Sequence, residues 1–288
     1  MSLVATARTR LRAYLVHRMQ SGDPRLRPWP SALAMSGESW KSCCNICGWH
    51  GEEFLGGYHS EMAACPSCNS IARDRYLYWC WTERTEYDRK ARVLETSPRL
   101  DDRYRSVMGQ RVKYVASDYD ESAHKGMIKL DIQNIDLPDA SLDVILTPHV
   151  LEHVPDTEKS LAEIVRVLAP GGSLFLEIPL QQGVTSPPPG VEYHGDNTLV
   201  YWRFGWDLAE KLEAAGLRTT TLVTADLIQR VRAGDIDSKY GGADCDEVDL
   251  LSHADPDSWT EVADSRAARR YGFLPDFMFV CWHGVKPS

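Results

Sequence analysis

From about residue 90 the chain alternates short apolar runs with longer amphipathic stretches. The runs Arg92–Glu95, Val112–Ser117, Leu142–Thr147 and Ser173–Ile178 are too short for core helices and lack a regular polar face, the pattern of strands buried on both sides. The spacing predicts a helix that starts at the capping residue Asp156, carries Leu161, Ile164, Val165 and Leu168 on one face, and stops at Pro170-Gly171-Gly172. Strand, helix and strand in that order predict a parallel sheet. A further helix is expected from about Asp207 to Ala215, ended by Gly216. Upstream, the aromatic-rich stretch from Ile71 to about Glu86, with Tyr76, Tyr78, Trp79 and Trp81, predicts a helical bridge. Residues 1 to 20 put Val4, Leu11, Tyr14, Leu15 and Met19 on one side of a helix ringed by arginines. A docking helix, a transit peptide and a phosphate-binding arm all fit that pattern. The prolines of Asp23–Pro30 then predict a linker.

Composition narrows the class. The 288 residues are 43% hydrophobic and 25% charged, ordinary for a globular chain of about two folding units. No apolar run is long enough to span a bilayer, and arginines interrupt the first twenty residues, against a secretory signal. The net charge of −9 disfavours a general nucleic-acid binder, which needs a field of Lys and Arg.

The eight cysteines change the picture more, because five fall between residues 43 and 68. Cys44-Asn45-Ile46-Cys47 and Cys65-Pro66-Ser67-Cys68 form two C-x-x-C pairs. Two intervening residues let a tight turn aim both sulfurs at one ion, so two such turns supply a closed tetrahedral zinc site. Gly48 suits the backbone angles of the first turn. Free or redox-active thiols are the competing expectation, and adjacent Cys43 leaves the first ligand ambiguous. Four ligands leave no open position, so the zinc would be structural, substituting for core in a short segment. Clustered C-x-x-C pairs without an export signal point to the cytoplasm.

In a doubly wound sheet, ligands bind beyond the carboxyl ends of the strands. There the second strand ends in Asp118, positioned for a ribose diol. The next strand end carries Asp131, and the fourth runs into Pro148-His149-Val150-Leu151-Glu152-His153. The segments Leu142–Leu146, Leu151–Val154 and Arg166–Gly172 resemble those of class I S-adenosylmethionine-dependent methyltransferases, over about residues 90 to 225. The cysteine pairs resemble a bacterial subgroup with an N-terminal zinc ribbon, whose members accompany polysaccharide or natural-product pathways. The resemblance implies a Rossmann-like seven-stranded α/β sheet whose last strands are Arg218–Val223 and Phe277–Trp282. It implies S-adenosylmethionine as cofactor, with Asp118 on the ribose, Asp131 near the adenine amine, and Pro148 and His149 beside the methyl group. The expected organisation is a basic helix and linker (1–40), a zinc ribbon and bridge (41–88), and a methyltransferase domain (89–288) with an acidic insertion at about 226–270.

The chain departs from the family after the first strand. A Gly-rich turn is usual there, whereas this chain has Glu95-Thr96-Ser97-Pro98-Arg99. Either Glu95, Thr96 and Ser97 form a remodelled cofactor loop, or the shell has lost turnover. His149 and His194 are the candidate bases for deprotonating an acceptor; each competes with a purely hydrogen-bonding role, and His153 is expected to be structural. The loop from Gln181 to Asn197 is either a lid over the acceptor or an inert crossing. Arg203 is a candidate for binding an acidic substrate group. Between Ala233 and Asp264 ten acids face one lysine, either a solvated loop or a rim attracting a cationic acceptor. The leading expectation is methyl transfer to an O or N atom of a small sugar-like or natural-product acceptor. RNA methylation is less favoured: the first thirty residues carry six Arg against one Asp, which leaves −14 for the rest. A non-catalytic zinc-bearing binding protein rests on the altered first motif alone.

Overall fold

The computed structural model describes residues 41–56, 63–85, 89–98, 102–120, 128–181, 183–194, 197–235, 250–273 and 279–288. The expected N-terminal helix and linker, Arg99, and the 236–249 part of the acidic stretch lie outside these residues. Among the described residues no helix is long and apolar enough to cross a membrane.

The described residues open with a two-stranded ribbon, β1 (Ser42–Cys43) and β2 (His50–Gly51), followed by helix α1 (Ala72–Arg84). The α/β layer contains β3 (Arg92–Thr96), α2 (Asp102–Arg111), β4 (Lys113–Asp118), β5 (Ile128–Lys129), β6 (Leu142–Pro148), α3 (Thr157–Val167) and β7 (Leu168–Glu177). A hairpin of β8 (Glu192–Tyr193) and β9 (Leu199–Val200) follows. The chain then runs through α4 (Leu208–Ala214), β10 (Arg218–Thr224), α5 (Ala225–Ala233), β11 (Trp259–Ala263), α6 (Ser265–Tyr271) and β12 (Val280–Val285).

The main sheet has the order β11-β10-β12-β7-β6-β3-β4-β5, with β12 antiparallel to both its neighbours and the other pairs parallel. The seven expected strands are present. The eighth, β11, comes from the acidic insertion and extends the edge beside β10. Part of that insertion is therefore sheet and not solvated loop. Alternation sorts the strand residues onto two cores. Leu94, Ile145, Leu174, Leu176, Val223, Val280 and Trp282 face α3, α4 and α5. Val93, Val144, Leu146, Phe175, Leu222 and Cys281 face α1, α2, α6 and the ribbon cysteines.

Local chemistry sets the helix ends. Asp156 caps α3 by accepting from Lys159 N at 2.9 Å, as its position predicts. The helix stops at Val167, before Pro170-Gly171-Gly172, and Leu168 begins β7 instead of closing the helix face. β12 also begins later than expected, at Val280.

Helix α1 is more than a bridge. Tyr76 donates to the Leu222 carbonyl at 2.8 Å, and Trp79 Nε1 donates to the Val262 carbonyl. Arg75, just before Tyr76, is fully buried. Its guanidinium donates to the carbonyls of Tyr271 (2.6 Å), Ala63 (2.7 Å), Gly272 (2.9 Å) and Ser70, and lies 3.9 Å above the Phe54 ring. Gly272, at φ +69°, is held so close that a Cβ there would meet Phe54 at 2.3 Å.

Glu95 is equally buried and accepts from Tyr114 at 2.6 Å and Tyr104 at 2.9 Å. Burial pushes its carboxyl up to about 8, aided by the nearby Asp74 charge and opposed by the two hydroxyls.

Two outcomes follow from these buried charges. Arg75→Met and Arg75→Lys should each lower the unfolding free energy by about 3 kcal/mol or more in urea titrations, since an ammonium cannot serve the same fork of carbonyls. A lysine variant as stable as the parent would overturn the fork's role. Glu95 in the folded chain keeps a proton that the unfolded chain releases near pH ~4.3, so stability should fall as pH rises from there to about 8. The slope is at most ~1.4 kcal/mol per pH unit. Glu95→Gln should flatten that part of the profile, and an unchanged slope would assign it to another group.

Candidate functional site

The four paired cysteines converge. Cys44 and Cys68 Sγ are 3.6 Å apart, as are Cys47 and Cys65 Sγ. A disulfide would need ~2.05 Å. Four sulfurs ~2.3 Å from a shared centre lie ~3.8 Å apart, so the spacing suits a tetrahedral metal site. Each pair sits on a tight turn: Gly48 N donates to the Cys44 carbonyl and Asn69 N to the Cys65 carbonyl, both at 2.8 Å. Gly48 (φ +78°) and Asn69 (φ +64°) hold equivalent left-handed positions. Cys43 lies in β1 outside the four-sulfur group, whose first member is Cys44. Burial opposes ionisation of Cys44, yet contacts with Cys47, Cys65 and Cys68 and the Arg75 charge hold its thiol well below the ordinary range.

The second group of candidates lies at the carboxyl ends of the central strands. Ser97, directly after β3, takes φ +45°, the left-handed conformation for which glycine is the usual residue. Its Oγ donates to Asp118 Oδ2 at 2.8 Å and its N–H to the Ser117 carbonyl at 2.6 Å, offsetting the backbone strain. Asp118 and Asp131 lie at the ends of paired strands, joined by Leu130 N donating to the Asp118 carbonyl at 2.8 Å. Asp131 accepts from Gln133 N at 2.8 Å. One step beyond the Glu95–Leu146 pair of β3 and β6, the buried Thr96 and Thr147 hydroxyls have no hydrogen-bond partner among the described residues. The Glu95 carboxyl group is taken up by Tyr104 and Tyr114 in the interior.

After β6 the chain turns sharply. Pro148 pairs with Glu177, and His149 takes φ +49° while its N–H donates to the Glu177 carbonyl at 2.7 Å. A single 3-10 turn, Leu151–His153, follows. The β8–β9 hairpin docks on it: Tyr201 N donates to the Glu152 carbonyl at 2.8 Å, and His153 Nδ1 lies 2.8 Å from the Leu199 carbonyl. This docking brings His194 edge-on to His153, with ring centres 4.6 Å apart and planes at 88°. The buried Glu152 places Oε1 3.8 Å from His153 Nε2 and 3.9 Å from His149 Nδ1. The candidate bases His149 and His194 thus share one cluster with Glu152 and His153. The sequence does not reveal that grouping, because 40 residues lie between His153 and His194 and the hairpin closes the gap. Arg203 is held by Glu192 at 2.8 Å and pairs its backbone with Ser186, so it braces the loop.

Comparison with known proteins agrees with this geometry. Residues 98–176 match a family model described as a methyltransferase domain. Over 62 residues the chain is 42% identical to a 37.1 kDa protein of transposon TN4556 from Streptomyces fradiae, covering 22% of this chain and 18% of that one. Over 176 residues it is 28% identical to the probable S-adenosylmethionine-dependent methyltransferase of Mycolicibacterium smegmatis, covering 56% and 65%. The chain therefore spans less than two thirds of the length of these relatives. Among solved structures, it resembles an S-adenosylmethionine-dependent methyltransferase from Mesorhizobium loti (12% identity, 75% and 99% coverage, TM-score 0.45). Another is the 1,6-didemethyltoxoflavin-N1-methyltransferase of Burkholderia thailandensis (15% identity, 75% and 77% coverage, TM-score 0.42). The matched segment, residues 98–176, is similar to a methyltransferase domain, and it lies within the parallel part of the sheet.

Proposed function

We propose that this chain transfers a methyl group from S-adenosylmethionine to an oxygen or nitrogen of a small sugar-like or natural-product acceptor. The observation that carries the reading is the row of polar groups closing adjacent strands: Ser97 and Thr96 after β3, Asp118 after β4, Asp131 after β5, and His149 after β6. Bound there, the cofactor supplies a methyl carbon on a sulfonium already activated toward nucleophiles. The chain's own work is then to hold and orient. Asp118, fixed by Ser97, accepts from the ribose diol, and Asp131 lies toward the adenine amine. The orphaned hydroxyls of Thr96 and Thr147 offer further contacts to the donor. Positioning of this kind can account for ~7–11 kcal/mol of a barrier. His149 and His194 take the acceptor proton, and the hairpin carrying exposed Val191, Tyr193 and Tyr201 meets an apolar part of the acceptor.

The four cysteines hold a structural zinc ion in this reading. A tetrathiolate zinc centre carries roughly two negative charges in excess, and the buried Arg75 guanidinium beside it partly balances them. A reducing compartment such as the cytoplasm would keep those thiols available. The non-catalytic alternative rests on the glycine-free turn, and Ser97 weakens it by adopting the left-handed backbone that turn needs.

Asp118→Ala should raise the Kd for S-adenosylmethionine roughly 10- to 100-fold by calorimetry, the loss of charge-assisted hydrogen bonds. An unchanged Kd would remove Asp118 from the cofactor site. His194→Gln should leave that Kd intact while lowering S-adenosylhomocysteine release ~10²-fold or more with a responsive acceptor. Undiminished release would exclude His194 from the proton-handling role, and a salt-sensitive RNA mobility shift would favour the RNA alternative.

A further inference from the structure

Glu152, His153 and His194 bring one carboxylate and two imidazoles together where the 3-10 turn meets the hairpin. The Leu199 carbonyl can only accept, so His153 Nδ1, 2.8 Å away, carries the ring proton. In the neutral ring Nε2 is then a lone pair, and it faces Glu152 Oε1 at 3.8 Å. A proton on Nε2 or a metal ion between the two atoms would join them. The separation exceeds the ~3.2 Å limit for a shared proton in a good hydrogen bond. It suits two atoms each ~2.0–2.2 Å from a common metal ion. One ligand atom from each of Glu152, His153 and His194 lies within 4.8 Å of the others. A backbone carbonyl that orients the remote nitrogen of a histidine is also the usual support of a metal-ligating imidazole.

We propose that Glu152, His153 and His194 bind a divalent first-row transition ion such as Zn2+, distinct from the four-cysteine site. Two imidazoles and one carboxylate are the donor set of an open site, which keeps a coordination position for water or a substrate oxygen. The elements that build it explain how three ligands meet. Glu152 and His153 stand on the 3-10 turn after β6, and His194 stands on the hairpin that donates Tyr201 N and Trp202 N to the Glu152 carbonyl at 2.8 and 3.3 Å. Metal binding itself does not depend on methyl transfer. Its consequence does rest on that reading: an acceptor oxygen on the ion would ionise more readily, with His149 receiving the proton and His194 acting on it through the ion.

The test is metal stoichiometry of the full chain. After equilibration with Zn2+ and removal of excess, elemental analysis should find two ions per chain, one in each site. His153→Ala, His194→Ala and Glu152→Gln should each retain one, and His253→Ala, outside the cluster, should retain two. One ion in the parent, or two in the cluster variants, overturns the proposal; one ion in the parent leaves a bridging water in the gap. Should a variant misfold, Co2+ added to the parent chain already holding one Zn2+ gives an independent reading. Weak ligand-field bands of nitrogen and oxygen coordination support the site, whereas no bands, or the intense bands of thiolate coordination alone, overturn it. Calorimetry with S-adenosylmethionine separates the two failures. Nucleoside binding without a second ion sinks only the metal proposal, and a second ion without nucleoside binding sinks only the methyl-transfer reading.

Discussion

The Arg75 guanidinium has no route to water, so its N–H groups must end on protein oxygens, and the segments supplying those oxygens must keep their places. Ser70 belongs to the turn after the second cysteine pair, Ala63 to the strand-like segment before it, and Tyr271 and Gly272 to the end of α6. One side chain thereby ties the ribbon, the α1 layer and the C-terminal part of the sheet together. The carbonyls at the end of α6 are a fitting partner, because a helix C-terminus carries partial negative charge. The cysteine ribbon is therefore welded to the sheet and shares a core with Val93, Val144 and Phe175.

With the sheet held in this way, the strand ends can carry strain. Ser97 and His149 both take left-handed backbone directly after neighbouring central strands, and both are pinned by short backbone hydrogen bonds, to Ser117 and Glu177. Such conformations cost about 1–3 kcal/mol each and persist only where surroundings enforce them. Here the enforcement also aims chemistry. Ser97 orients the Asp118 carboxylate, and the turn at His149 starts the 3-10 segment that carries Glu152 and His153.

Much of this was legible in the residues. Period and caps located α3 through Asp156, α4 through Gly216, and the buried strands within a few residues, because local hydrogen bonding and alternation fix those features. The two C-x-x-C pairs foretold the four-sulfur geometry, since their spacing dictates the turn. What stayed hidden depends on contacts between distant segments. Arg75 looks like any helical arginine until the carbonyls of residues 63, 70, 271 and 272 surround it. β11 lies in a stretch whose acidity suggests solvent, yet Thr260 pairs with Leu222 of β10 and the Val262 carbonyl receives Trp79 of α1. Ser97 could not be recognised as the turn's glycine substitute, because its tolerance of positive φ comes from Asp118 and Ser117, twenty residues onward.

The hairpin after β7 shows why this side of the strand ends resists reading from sequence. Its length and prolines fit either a lid or an inert crossing, and its position is set by backbone bonds to Glu152, by Thr185 on Asp207 at 2.7 Å, and by the Arg203–Glu192 pair. The residue whose carbonyl receives the hairpin is the same residue whose carboxylate meets the histidines. Any shift of the hairpin that breaks the Tyr201 or Leu199 contacts must also move His194 relative to His153. Position and chemistry on this side are thus one constraint, and the loop's composition, which records neither partner, could not have revealed it.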